Sequence, residues 1–122
     1  MTGRPSVCVV GSGGREHALA TVLGRTASVT VTPGNAGIAG STPAPPEEID
    51  ADLFVIGPEA PLVDGLADRL RADGKRVFGP GADGARLEGS KAWMKQLCER
   101  AGVPTARHRT FVAGQEDEAV AY

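Results

Sequence analysis

Three short segments carry the residue types from which a small-molecule site can be built. The first is Gly11-Ser12-Gly13-Gly14-Arg15-Glu16-His17. Its glycines let the main chain approach an anion closely. A helix starting there would direct free N–H groups and a partial positive charge toward that anion. Phosphate is the ligand class that suits such a turn, and Arg15 can either reach it or stay solvated like most surface arginines. The same glycines also serve a tight strand-to-helix turn that binds nothing. The spacing departs from the dinucleotide fingerprint, because Glu16 stands where the third glycine of G-x-G-x-x-G belongs.

The second segment, Pro33-Gly34-Asn35-Ala36-Gly37, is a compact turn offering several backbone N–H groups. The third, Gly57-Pro58-Glu59-Ala60-Pro61-Leu62, brings Glu59 to a position where its carboxylate can accept sugar hydroxyls or cap a helix of its own. Farther along, Gly89-Ser90-Lys91 has the flavour of the end of a phosphate loop, but the upstream glycine that such a loop requires is absent. His17 and His108 have no ligand spacing around them and receive no catalytic role.

These segments need elements to hold them. Val7-Cys8-Val9-Val10 is a short, fully apolar run of the kind found in strands buried on both faces. It leads through the glycine turn into a predicted helix from Arg15 to Gly24, with Ala18, Leu19, Val22 and Leu23 on its apolar side. Ser28 to Thr32 and Leu53 to Ile56 predict two more strands, and Arg76 to Phe78 a fourth. The stretch from Pro33 to Pro46, rich in proline and glycine, predicts a loop. Helices are expected from Ala60 to Asp73, facing inward through Leu62, Val63, Leu66 and Leu70, and from Ala85 to Ala101, through Ala92, Trp93, Leu97 and Cys98. Thr110-Phe111-Val112 is a short strand candidate, followed by an acidic stretch that can begin a helix. Alternating strands and helices predict an α/β fold: a Rossmann-like parallel sheet with flanking helices, right-handed crossovers and ligands beyond the carboxyl ends of the strands.

Composition narrows the function classes. The chain has 122 residues, enough for a single core. Aromatics are only 4%, so aliphatic residues must supply the packing, which suits a helix-clad parallel sheet. With 13 Lys and Arg against 15 Asp and Glu, no basic field is available to steer the chain to nucleic acid. Cys8 and Cys98 lack zinc-site spacing and read as reduced thiols. No signal-peptide pattern and no membrane-length apolar run is present, so the expected location is cytoplasmic, with no membrane partner.

Taken in order, five motifs resemble glycinamide ribonucleotide synthetase (phosphoribosylamine-glycine ligase). They are Val-Val-Gly-Ser-Gly-Gly-Arg-Glu-His-Ala at 9 to 18, Pro-Gly-Asn-Ala-Gly at 33 to 37, Gly-Pro-Glu-Ala-Pro-Leu at 57 to 62, Val-Phe-Gly-Pro at 77 to 80 and Leu-Glu-Gly-Ser-Lys-Ala at 87 to 92. They follow the family's order across nearly the whole chain, a combination that no generic nucleotide fold supplies. The resemblance implies an ATP-grasp ligase of de novo purine biosynthesis: ATP phosphorylates the glycine carboxylate, and the amine of 5-phosphoribosylamine attacks to give glycinamide ribonucleotide, ADP and phosphate. It implies a pre-ATP-grasp substrate-binding domain over residues 1–88 and the beginning of an ATP-grasp domain over 89–122.

By the same resemblance, Gly11, Ser12, Gly13, Gly14, Arg15, Pro58 and Glu59 match motifs that bound the phosphoribosyl substrate, with Glu59 facing the ribose hydroxyls. Gly34, Asn35 and Gly37 line the same cleft, and Lys91 matches the early ATP-grasp cation that contacts the nucleotide phosphates. ATP with Mg2+ or Mn2+ is the implied cofactor set, its metal ligands lying outside this chain. Two departures stand out. The region from Ile38 to Asp52 is shorter than the family usually has, which predicts a trimmed sheet edge. The chain also ends at Tyr122, ahead of the family's ATP-grasp glycine-rich loop, acidic metal ligands and C-terminal domain, so this piece is expected to be inactive alone. A stand-alone module that captures a phosphorylated sugar or nucleotide without chemistry fits the same residues. A nicotinamide-dependent oxidoreductase does not, for want of the third glycine and of an acidic residue ending the second strand.

Overall fold

In the computed structural model, residues 3–122 are described. The first apolar run becomes β1 (Ser6–Gly11), which pairs in parallel with β2 (Ser28–Pro33) on one side and β3 (Leu53–Ile56) on the other. A two-residue β4 (Val77–Phe78) adds in parallel to β3, giving the order β2-β1-β3-β4. The central place of β1 explains its lack of a polar face. Cys8 and Val10 point into one cluster with Phe54, Ile56, Leu62, Leu66, Ala67 and Leu70. Val7 and Val9 point into the other, with Val31, Val55, Ala27 and Ile38.

Helix α1 (Gly14–Leu23) covers the second cluster through Leu19, Ala20 and Leu23. Ala18 and Val22, expected on its buried side, are exposed. The first cluster is covered by two short helices rather than the single helix expected from Ala60 to Asp73: α2 (Glu59–Val63) and α3 (Leu66–Ala72). The break lies at Gly65, whose φ of 81° is left-handed and ends one helix before the next begins. Val63 is consequently turned outward, at 40% exposure.

The helix expected from Ala85 to Ala101 is likewise two, α4 (Ala82–Gly89) and α5 (Lys91–Ala101). Ser90 divides them by taking an extended conformation and accepting the Trp93 N–H with its hydroxyl, an N-cap that starts α5 afresh. Residues through Ala85 form one compact unit and Arg86–Tyr122 a second. Within the second, Ala92, Trp93, Leu97 and Cys98 are half-buried, Lys95 bonds Thr105 and Ala106, and α6 (Glu116–Ala121) closes the chain. Thr110 to Val112 is not a strand: among the described residues nothing pairs with it, and Val112 donates its N–H to the Gln115 side chain.

The Pro-rich segment runs as loop from β2 to β3, with one parallel bridge from Ser41 to Val31 and a 3-10 turn at Pro46–Glu48. Prolines offer no N–H, so the carbonyls of this loop take donors from elsewhere. Thr32 donates its hydroxyl to the Ala44 carbonyl at 2.6 Å. The Lys75 ammonium reaches the carbonyls of Pro46, Glu47 and Ile49, while lying 5.0 Å over the Phe54 ring.

Two outcomes check this packing. Leu70 is fully buried, so Leu70→Ala should cost about 2–5 kcal/mol in urea unfolding; a loss below about 1 kcal/mol would mean that α3 does not close the core. The Cys8 thiol is pushed up to about 11 by burial, which the charge of Lys75 only partly opposes. Iodoacetamide should therefore alkylate half-buried Cys98 well before Cys8 in the native chain, and equal rates would show that β1 is accessible.

Candidate functional site

In the order β2-β1-β3-β4 the connections reverse direction beside β1, leaving a crevice where the carboxyl ends of β1 and β3 diverge. A pocket of about 560 Å³ opens there. Val10, Gly11, Ser12 and Gly13 form one wall, and Pro58, Pro61 and Leu66 another. The end of β2 adds Thr32 and Pro33, and the far rim carries Pro46, Glu47 and Arg69.

Glu16 is the group that shapes the floor. It is 4% exposed although charged, and its carboxylate turns back from the first turn of α1 to accept the Gly13 N–H at 2.7 Å. This is half of a capping box, the other half being closed to a glycine N-cap that has no side chain. Arg15 donates Nε to the other carboxylate oxygen at 3.0 Å. Burial alone would raise the Glu16 pKa, but the bonds from Arg15 and Gly13 and the Arg15 charge outweigh it, holding the carboxyl below its ordinary value of 4.5. A Cβ on either Gly11 or Gly57 would collide with this side chain. Both strand ends must therefore be glycine for Glu16 to fit.

Of the residues singled out in the sequence, Gly11, Ser12, Gly13 and Pro58 line the pocket. Gly14 and Arg15 open α1 beside it, with Arg15 about half exposed. The Asn35 turn stands behind the glycine turn: the Asn35 amide donates to the Ser12 carbonyl at 2.7 Å, Gly34 donates to Gly11, and Gly37 donates to the Asn35 side chain. Asn35 thus braces the turn instead of lining the pocket. Glu59 is exposed at the first position of α2 and is not among the lining residues. Lys91, exposed at the start of α5, belongs to the second unit. Sequence reasoning saw Glu16 only as a departure from a fingerprint, although an acid three residues after a candidate N-cap is itself a signal. It passed over Thr32, Glu47 and Arg69, which no local pattern marks.

A family described as "Phosphoribosylglycinamide synthetase, N domain" matches residues 5–88, a span that contains every residue of this pocket. The chain belongs to that family. Curated relatives bearing the name phosphoribosylamine–glycine ligase include those of Corynebacterium ammoniagenes, 44% identical over 92% of this chain and 30% of the relative, and of Mycobacterium tuberculosis (strain ATCC 25618 / H37Rv), 48% identical over 82% and 28%. The Escherichia coli O157:H7 relative is 42% identical over 95% of this chain and 31% of its own length. The chain thus spans less than a third of the length of these relatives. The four-stranded parallel sheet with flanking helices is the fold of this phosphoribosylglycinamide synthetase N domain. Among the described residues, no group of three or more His, Cys, Asp or Glu is placed to hold a metal ion, and no helix is long and apolar enough to cross a membrane.

The ionisation of Glu16 gives a pH test. Its folded-state pKa lies below the unfolded value, so the stabilisation is complete above pH 4.5 and is lost as pH falls through the folded pKa. Urea unfolding at about pH 6 and about pH 3 should show a smaller loss in Glu16→Gln than in the parent chain. Identical losses would remove Glu16 from the acid response.

Proposed function

We propose that this chain is the N-terminal, substrate-holding part of a phosphoribosylamine–glycine ligase. That enzyme joins glycine to 5-phosphoribosylamine with ATP, giving glycinamide ribonucleotide, ADP and phosphate in purine biosynthesis. One observation carries the reading: the glycine turn after β1 and Pro58 after β3 meet in a single pocket at the sheet's switch point, within the span matched by the family. A volume of about 560 Å³ suits a phosphorylated pentose, since small-ligand sites run from roughly 300 to 1,000 Å³.

In this reading Ser12, Gly14 and Arg15 receive the phosphate, while Gly13 lines the pocket with its N–H held by Glu16. Arg15 uses Nε on Glu16, and among the described residues its two η nitrogens have no partner, so they are available to an anion. Gly11 makes room for Glu16 beneath the turn, while Gly34, Asn35 and Gly37 keep the turn in place. Pro58 packs against the sugar, and Glu59, exposed at the start of α2, is a candidate acceptor for ribose hydroxyls. Lys91 is the candidate contact for the ATP phosphates. A lone exposed lysine does not make an ATP site, and the carboxylates present do not form a Mg2+ or Mn2+ site. Activation of glycine is therefore assigned to parts of the enzyme outside these residues, and this segment binds and orients the phosphosugar. Free thiols at Cys8 and Cys98 suit a cytoplasmic setting.

Calorimetric titration with glycinamide ribonucleotide tests the assignment. The chain should bind saturably, and Arg15→Ala should weaken binding by about tenfold or more, the usual loss for a charge-assisted hydrogen bond. Absence of heat at millimolar ligand, or equal affinity in the variant, would count against a phosphosugar site on this segment.

A further inference from the structure

The rim of the pocket opposite the glycine turn is charged. Glu47 comes from the 3-10 turn of the Pro-rich loop and Arg69 from α3, and Arg69 Nε lies 3.5 Å from Glu47 Oε1. The remaining nitrogens of Arg69 are also engaged: Nη1 donates to the Asp64 carbonyl at 2.7 Å and Nη2 meets the Asp64 carboxylate at 3.3 Å. One guanidinium is thus shared by two carboxylates, and the Lys75 ammonium lies on the main chain of the same turn. An ionised carboxylate only accepts hydrogen bonds, and the ligand groups that can satisfy it are donors.

The main chain of Glu47 is also held before any ligand arrives. Its carbonyl is bound by the Lys75 ammonium, as are those of Pro46 and Ile49, and the two prolines before it fix their own φ angles on the way into the turn. Its side chain, 37% exposed, is oriented by Arg69. A carboxylate held in this way loses little freedom on accepting a hydroxyl, which is the condition for a selective contact.

We propose that Glu47, positioned by Arg69, is a hydroxyl-accepting carboxylate that makes this pocket select a polyhydroxylated phosphoester over a bare anion. The assignment rests on the phosphosugar reading above and adds a second pole to it: the anion at the glycine turn, the hydroxyls at Glu47. Arg69 is a positioning residue, acting through Glu47.

The test compares ribose 5-phosphate with inorganic phosphate on the full chain, by calorimetry and amide chemical shifts, with thermal unfolding as the folding control. The parent chain should bind ribose 5-phosphate more tightly than phosphate. Glu47→Gln and Glu47→Ala should weaken ribose 5-phosphate about tenfold while leaving phosphate unchanged or tighter, in line with loss of a hydrogen bond to a charged group. Arg69→Met should weaken ribose 5-phosphate less than Glu47→Ala and spare phosphate. If folded Glu47 variants keep the parent affinity for ribose 5-phosphate, the role of Glu47 is overturned and the phosphosugar site stands. If the parent chain binds the two ligands equally, the selection is overturned. If it binds neither, the phosphosugar reading fails and the assignment to Glu47 falls with it.

Discussion

Glu16 projects back from the first turn of α1 into the gap between the ends of β1 and β3, where a buried carboxylate survives only because it is bonded on both oxygens. Gly13 satisfies one oxygen and Arg15 the other, and the glycines at 11 and 57 leave the room. The floor of the pocket, the start of α1 and the spacing of the two strand ends all depend on this arrangement. The negative charge also lies at a helix N-terminus, where the aligned peptide dipoles favour it. Glu16 therefore stands at the position of the dinucleotide fingerprint's third glycine with a different task, coupling two strand-to-helix turns through a side chain.

The Pro-rich loop solves a related problem on the opposite rim. A segment with few N–H groups cannot join a sheet ladder, and this one makes only the bridge at Ser41. Besides the bonds among its own residues, it is held by donors elsewhere: the hydroxyl of Thr32 and the ammonium of Lys75, with the ion pair between Arg69 and Glu47 alongside. The 3-10 turn in this loop brings Glu47 to the pocket lining. The two rims then differ in chemistry, main-chain N–H groups and Arg15 on one side and a braced carboxylate on the other.

Between these rims the walls are Pro33, Pro58, Pro61 and Leu66. Proline supplies apolar surface without a donor of its own, so polar recognition is concentrated at the two ends. Asn35 contributes from behind by holding the Ser12 carbonyl. Brace and contact are thus divided between two loops that follow neighbouring strands, and the parallel register of β1 with β2, pairing Gly11 with Pro33, brings those loops together.

The sequence by itself determined the strands, their parallel character, the family and the pocket residues Gly11, Ser12, Gly13 and Pro58, because apolar runs and glycine turns act within a few residues of the chain. Helix continuity was less legible. Apolar periodicity runs through Gly65 and Ser90, whereas a left-handed glycine and a capping serine interrupt the helices there. The strand expected at Thr110 to Val112 failed for a different reason, since β-propensity needs a partner and none is paired to it. Only the tertiary structure decided that Asn35 braces the turn and Glu59 lies outside the pocket lining, and that Glu47, Arg69 and Lys75 meet. Lys75 reaches carbonyls 26 to 29 positions away in the chain. Contacts of that range depend on how β3, α3 and the loop pack together, and no local pattern of residue types records such packing.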